Sequence, residues 1–278
     1  MEKQAELFYY NSAVLLENPC YDEKRNVVWA IEIRKGRIFA ISPEDHSCGT
    51  YTMPSLVGWI ALMPDGRLAA ALKDGVYAFD PDNGELTLIA HPETDTRFRY
   101  NDGCIDPEGR ILVGTKGDSE PMTGMSGCFS ISPGGTSKKI ITGATTANGM
   151  GFSPDGKVFY FIDTPSANIY AYDYDHATGD VSERRVFHTV TDGGLPDGMC
   201  VLSDGRICVA ECDGGGRVCV YSPDGKIMDT IFLPVKDVTA CCVHGSTMYI
   251  TTAKAKKPLR TNPPPAGCIY VRYKETLI

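Results

Sequence analysis

The stretch SPDGKVFYFIDTPSANIYAYDY, residues 153–174, contains the two patterns from which most of the chain is built. It begins with the tight turn PDGK (154–157), in which glycine can adopt a positive φ at little steric cost. An apolar run, VFYF, follows the turn, and the segment IYAYDY then alternates apolar and polar positions. Short runs of this kind, bounded by turn residues, are typical of β-strands.

Both patterns recur along the whole chain. Clear turns contain the basic residues Arg67, Arg110, Lys157 and Arg206, and weaker copies lie at 22–26 and 244–246. The alternating segments are IFAISP (38–43), VYAFDP (76–81), CFSISP (128–133), IYAYDY (169–174), VCVYSP (218–223) and IYVRY (269–273). The four basic residues are 43, 47 and 49 positions apart, which is the period of a four-stranded propeller blade. The sequence therefore predicts an all-β fold, a six-bladed β-propeller that forms a single domain over residues 1–278.

The N-terminal run ELFYY (6–10) has no turn partner of its own. We expect it to supply the outer strand of the last blade, so that it closes the ring and hides two sheet edges. The alternative is an open sandwich of similar strands, which six paired repeats disfavour.

Composition restricts the class of protein. The 278 residues are 42% hydrophobic and 22% charged, which is ordinary for a globular domain. A net charge of −8 without a long basic run disfavours a nucleic-acid partner, and no apolar run is long enough for a membrane span. The N-terminus has no signal-peptide pattern, and the eleven cysteines form no C-x-x-C pair, which indicates reduced thiols. We expect a cytoplasmic protein that is a monomer or a small homo-oligomer.

The repeat also indicates a site. Counting back nine residues from the basic residue of each clear turn, and from the aligned Asn26 and Ser246 of the two weaker copies, should reach the start of the strand that lines the central channel. The positions reached are Glu17, Gly58, Asn101, Asn148, Asp197 and, in the last blade, Asp237 or Thr239. Four of the first five have side-chain oxygens at one depth; Asn and Asp can be turn formers, but their shared register favours a site. Carboxylate and amide oxygens without His or Cys suit a hard cation, either for metal-assisted chemistry or as a structural metal.

Three longer motifs occur in order: RYNDGCIDPEGR (99–110), NGMGFSPDGK (148–157) and PDGM (196–199). On these motifs the chain resembles the family of senescence-marker protein, gluconolactonase and luciferin-regenerating enzyme. The resemblance implies one divalent metal ion, which can be calcium, zinc or magnesium, held by Glu17, Asn148 and Asp197. It also implies that Arg99 and Asn101 bind the substrate.

Two segments depart from the family pattern. The family's Leu-Gly-Glu-Gly-Pro opening is LLENP here (15–19), so both glycines beside the metal-binding Glu17 are replaced. The loop in which relatives place Met and then an acidic substrate contact reads KGDSE (116–120). We include Glu120 among the candidate substrate-binding residues, with Asp118 as the alternative.

These observations predict a metal-dependent hydrolase that opens a small sugar-type lactone. The metal would act as a Lewis acid and Asp197 as the general base. Two alternatives remain open, hydrolysis of phosphotriesters or aryl esters and a non-catalytic propeller that a metal braces. Arg99 could instead be a surface ion-pair partner. Asp102 could support the site residues or be a turn residue, and we favour the turn.

Overall fold

Short apolar runs separated by turns become β-strands throughout the described chain. A computed structural model describes residues 4–254 and 264–273, in which there are two short 3-10 helices and no α-helix. None of the helices described has the length and apolar character that a membrane crossing requires. The helices are η1 (Ile33–Lys35) and η2 (Thr164–Ser166). The strands are β1 (Glu6–Tyr9), β2 (Leu16–Asp22), β3 (Val27–Glu32), β4 (Arg37–Ile41), β5 (Cys48–Thr52), β6 (Val57–Leu62), β7 (Leu68–Leu72), β8 (Gly75–Phe79), β9 (Leu86–Ala90), β10 (Phe98–Ile105), β11 (Ile111–Gly117), β12 (Ser126–Ile131), β13 (Ser137–Ala144), β14 (Ala147–Phe152), β15 (Val158–Asp163), β16 (Asn168–Asp175), β17 (Asp180–Thr189), β18 (Leu195–Val201), β19 (Ile207–Cys212), β20 (Arg217–Tyr221), β21 (Ile227–Phe232), β22 (Val238–His244), β23 (Thr247–Thr252) and β24 (Ile269–Tyr273).

Consecutive strands form six four-stranded sheets, and each sheet is one blade. Strands β2 to β21 make the first five blades in groups of four, and the sixth has the order β1-β24-β23-β22. The innermost strands β2, β6, β10, β14, β18 and β22 pack against one another in this order around the ring. The predicted six-bladed propeller is therefore confirmed, as is the N-terminal strand as the outer strand of the last blade.

The ring is closed by contacts between distant parts of the chain. In the sixth blade Leu7 of β1 lies opposite Tyr270 of β24. The hydroxyl of Thr239, on β22, donates a hydrogen bond of 2.6 Å to the carbonyl of Leu16, on β2. The pairing of β1 with β24 thus joins the two ends of the described chain within the sixth blade, and the Thr239 bond joins this blade to the first at the centre of the ring.

Apolar side chains from the facing surfaces of neighbouring blades form the core. Between the first two blades, Trp29, Ile31, Ile60, Leu68 and Phe79 are each at most 1% exposed. Similar clusters lie between the blades of each remaining neighbouring pair around the ring. The hydrophobic effect thus acts between blades rather than within one central core. All eleven cysteines of the chain are free in the structure.

Each innermost strand has an irregular register near its start. The shifts lie between Glu17 and Cys20, Val57 and Trp59, Tyr100 and Gly103, Asn148 and Met150, Pro196 and Met199, and Val238 and Ala240. Irregularities of this type bend a strand and redirect its side chains. They therefore lie at the residues that the repeat singles out as a candidate site.

The inner strands approach one another so closely that one of them needs glycine. A Cβ added to Gly58 would lie 2.2 Å from the carbonyl oxygen of Tyr100 in the next blade. Since this neighbour is backbone, it cannot move aside without moving its strand. Glycine is therefore needed at position 58 because two blades approach closely there, and not because the backbone has a positive φ.

We predict that Gly58→Ala lowers the free energy of unfolding by about 1–3 kcal/mol, because the new methyl group overpacks the ring. Gly49→Ala is the matched control, since a Cβ there would meet Ala40 Cβ at an ordinary 3.6 Å. The control should stay within about 0.5 kcal/mol of the wild type. Urea denaturation measures both values, and an equal effect of the two substitutions would contradict this account.

Candidate functional site

The candidate residues lie where the inner strands begin. Glu17 is on β2, Asn101 on β10, Asn148 on β14 and Asp197 on β18. Because these strands surround one channel, their first residues meet at one end of it. The corresponding position in the sixth blade is filled by Thr239, which is 1% exposed. The expected alternative at this position, Asp237, precedes β22.

Hydrogen bonds connect the side chains of three neighbouring blades. The Asn101 amide donates to Asn148 Oδ1 at 3.0 Å and to the Ala147 carbonyl at 2.9 Å. The Asn148 amide in turn donates to Thr164 Oγ1 at 2.9 Å, and this hydroxyl donates to the Pro196 carbonyl at 2.8 Å. The network fixes which atom of the Asn148 side chain is its oxygen and holds that oxygen beside Asn101.

Asp197 is a buried carboxyl group, 7% exposed. Burial raises its pKa to about 7, while hydrogen bonds from the Cys212 thiol and the Asn148 amide and the positive charge of Lys116 act in the opposite direction. The influence of Asn148 on this pKa indicates that the two candidate ligands are neighbours. Asp197 is therefore held by two donors in a site that disfavours its charge.

Glu17 belongs to the same acidic cluster. Burial raises its pKa well above the usual range, and the negative charges of Asp197 and Asp102 raise it further. The backbone N–H of Asn18 donates to Glu17 Oε2 at 3.2 Å, which acts against this shift. Three carboxyl groups therefore lie close enough to disfavour one another's ionisation.

The interpretation of Asp102 as a turn residue is wrong. Asp102 lies within β10, at the irregular register between Tyr100 and Gly103. Burial raises its pKa to about 7, and the charge of Asp197 contributes to the shift. The bulge in the strand, rather than a turn, directs this carboxyl group towards the channel.

Asn18 replaces the second glycine of the family's opening. Its φ is 52°, in the left-handed region that glycine adopts easily and asparagine tolerates. Its side-chain oxygen accepts a hydrogen bond of 2.5 Å from the backbone N–H of Ile60 in the second blade. Asparagine therefore keeps the backbone conformation beside Glu17 and adds a contact between blades.

Arg99 is a buried cation rather than a surface ion-pair partner, since it is 3% exposed and forms no ion pair with a described residue. Its Nη1 donates to the Tyr100 carbonyl at 2.9 Å, whereas its buried Nε has no hydrogen-bond partner. Burial lowers the pKa of Arg99 to about 10, and the positive charge of Arg34 contributes. The side chain thus has an unused donor at the candidate site.

The structure does not bring Glu120 to this cluster. Glu120 is exposed on the loop that follows β11. The acidic group of this loop that acts on Arg99 is Asp118, which also forms an ion pair with Lys73. Of the two residues considered for the acidic contact, the half-buried Asp118 is therefore the one beside the site.

The donor types at the site fit a hard cation. Among the described residues no three His, Cys, Asp or Glu side chains are arranged as a ready metal site. The candidate set includes an amide, however, and the mutual repulsion of Glu17, Asp102 and Asp197 would be relieved by a bound cation. Carboxylate and amide oxygens are ligands that calcium and magnesium prefer. The site therefore agrees with such an ion in chemistry.

Sequence reasoning missed Lys116, Thr164 and Cys212, because it followed only the innermost strands. The repeat nevertheless contains a signal for positions on the second strand of each blade. Counting forward six residues from the basic residue of each clear turn reaches Lys73, Lys116, Asp163 and Cys212. These positions end the second strand of a blade or lie just beyond it, and antiparallel pairing returns them to the same end of the channel as the site.

Comparison with known proteins agrees with this architecture. Residues 15–254 match the family described as the SMP-30/gluconolactonase/LRE-like region. Regucalcin of Xenopus laevis is 32% identical over 247 residues, which cover 85% of this chain and 82% of the relative. Human regucalcin is 32% identical over 248 residues, covering 86% and 83%.

Solved structures show the same fold. A calcium-binding regucalcin from Agrobacterium tumefaciens superposes with a TM-score of 0.90 at 25% identity, covering 98% of this chain and 94% of that chain. A gluconolactonase from Xanthomonas campestris gives a TM-score of 0.79 at 21% identity, covering 97% and 89%, a likeness of fold. From the match over residues 15–254 and the two regucalcins, the chain belongs to the SMP-30/gluconolactonase/LRE-like family.

Proposed function

We propose that the chain is a metal-dependent lactonase that hydrolyses a small sugar-type lactone. The observation that carries the proposal is the cluster of the half-buried Glu17 with the buried Asn148 and Asp197 at one end of the channel. Membership of a family whose description includes gluconolactonase supports the reaction class. An acidic and amide cluster, with buried donors beside it, is suited to a polyhydroxylated substrate that carries one reactive carbonyl.

Glu17, Asn148 and Asp197 would hold one divalent cation. The Agrobacterium relative is a calcium-binding protein, which makes calcium the first ion to test, before zinc and magnesium. When bound, the cation supplies Lewis acidity to the lactone carbonyl. The hydrogen bond from Asn101 to Asn148 Oδ1 leaves this oxygen a second lone pair for the ion.

Asp197 would take the proton from the attacking water. With the ion held by Glu17, Asn148 and Asp197, a carboxylate oxygen of Asp197 would lie near the position at which water and substrate meet. The thiol of Cys212 and the amide of Asn148 orient its carboxyl group. General base catalysis requires this orientation as well as a suitable pKa.

Arg99 and Asn101 would position the ring. The partnerless Arg99 Nε is a donor that a substrate hydroxyl or carbonyl oxygen can accept from. Asn101 is held in place by the Ala147 carbonyl. Groups fixed in this way lower the entropy cost of bringing substrate and water together.

Asp197→Asn should lower kcat/KM for lactones by about 10²–10⁴-fold, since it removes the base and keeps the shape. Proton release from a panel of aldonolactones measures the rate. Asp204→Asn, on the exposed turn of the same blade, is the matched control and should retain activity. Retained turnover in Asp197→Asn would contradict the mechanism. Activity on phosphotriesters or aryl esters alone, or no metal-dependent turnover at all, would favour one of the two alternatives.

Calcium should stabilise the protein more at pH 8 than at pH 5. The pKa values of Asp102 and Asp197 are raised to about 7, so the metal-free folded chain binds more protons than the unfolded chain, and its stability falls as pH rises through this value. At pH 5 protons compete with the cation for the same oxygens. Calcium at a hundredfold excess over its Kd should add about 2.7 kcal/mol at pH 8.

Urea denaturation with calcium or with a chelator, at both pH values, measures this increment. Asp197→Asn should lose it, whereas Asp204→Asn should keep it. An increment that is equal at pH 5 and pH 8, or that survives in Asp197→Asn, would place the ion elsewhere.

A further inference from the structure

Two basic side chains stand side by side at the candidate site. Lys116 of β11 lies directly opposite Arg99 of β10 in the register of the third blade. Residues so placed have Cβ atoms about 4.5–5.5 Å apart, and like charges in this arrangement are destabilising. Arg99 is buried and Lys116 is half-buried, so water screens this repulsion poorly.

The described residues leave this pair without a dedicated partner. Arg99 Nε has no hydrogen-bond partner, and Lys116 forms no ion pair with any described carboxylate. Asp118, the nearest acid of the same loop, already pairs with Lys73. Arg34, exposed on η1 at the same end of the channel, adds a third positive charge that acts on both Arg99 and Lys116.

The surroundings of Lys116 disfavour its positive charge. Burial, with a smaller contribution from the positive charges of Arg99 and Arg34, lowers the pKa of Lys116 to about 8, against the opposing effect of Asp197 and Glu17. Under the proposed function, Glu17 and Asp197 would hold a divalent cation, which would neutralise their negative charge. The positive charge of Arg34, Arg99 and Lys116 would then have no compensating negative charge when the cation is bound.

We propose that Lys116 and Arg34, which lie beside the ring-binding Arg99, form a subsite for an anionic substituent, a carboxylate or a phosphate, carried by the lactone away from its ring carbonyl. This inference rests on the proposed function, which places the carbonyl at Glu17, Asn148 and Asp197. Ammonium and guanidinium donors form strong charge-assisted hydrogen bonds with such oxyanions. A neutral sugar lactone would bring no negative charge to Lys116 and Arg34, so their mutual repulsion would stay as it is in the free protein.

Three lactones test the substrate class: δ-gluconolactone, its 6-phosphate, and 1,4-glucarolactone, which has a free carboxylate. The wild type should show a higher kcat/KM for at least one anionic lactone than for the neutral one, and the preferred member identifies the anion. In Lys116→Met the ratio of anionic to neutral kcat/KM should fall about tenfold to a hundredfold. Lys116→Arg, which keeps the charge, should retain most of the ratio.

Equilibrium binding separates this inference from the proposed function. Calorimetry with 6-phosphogluconate, glucarate and gluconate, with calcium present, measures the contribution of the second anionic group without turnover. The wild type should bind one of the first two more tightly than gluconate, and Lys116→Met should lose this preference. Arg34→Ala, at an exposed position, should reduce this preference several-fold. It provides a second test if Lys116→Met does not fold. Lys226→Met, at an exposed turn, is the matched control.

Each outcome has a distinct meaning. Binding that prefers the second anionic group, in a protein that hydrolyses none of the lactones, would end the proposed function and keep the anion subsite. Hydrolysis with equal or higher kcat/KM for the neutral lactone would keep the proposed function and overturn the subsite. Equal losses in Lys116→Met and Lys116→Arg would also overturn it, since the effect would then be one of shape rather than charge.

Discussion

The structure depends on the close approach of six inner strands around one channel. Where Gly58 faces the Tyr100 carbonyl, backbone meets backbone and no side chain fits between. Apolar packing occurs further out, between the faces of neighbouring blades. The consequence is a division of roles within a blade: the second and third strands are the most deeply buried in apolar contacts, whereas the first residues of the inner strand can carry polar side chains.

This geometry also makes the electrostatics of the site unusual. Glu17, Asp102 and Asp197 share a buried region with Arg99 and Lys116, and the charge of nearly every member acts on another. In the free protein the negative charges of the acids repel one another, and so do the positive charges of the bases. A cation among the acids and an anion beside the bases would relieve both strains together. The free energy that folding spends on burying these groups would then be recovered on binding.

Much of the fold could be predicted because turns and alternation repeat. A period of 43 to 49 residues indicates blades whatever the details of one strand. The same repeat located Glu17, Asn148 and Asp197, because equivalent positions in a ring converge on its axis. Asp102 was misjudged for a local reason: the bulge in β10 brings a second consecutive side chain towards the channel, which strict alternation does not allow.

The remaining site residues could not be read from the inner strands alone. Lys116 reaches the site through the pairing of β10 with β11, and the register of that pairing depends on the same bulge. The exposure of Glu120 depends on how its loop folds back, since Gly117 lies against the Glu120 carbonyl. Both are properties of strand pairing and loop conformation, which composition and spacing do not determine.

The pairing of β1 with β24 has a consequence for synthesis of the chain. Leu7 is synthesised long before its partner Tyr270, because the first five blades lie between them in the chain. At ordinary rates of translation, β1 waits on the order of tens of seconds before its blade exists. During that time an unpaired strand is available to other chains, and the polar character of Glu6 and Asn11 around this short segment is suited to limiting such encounters.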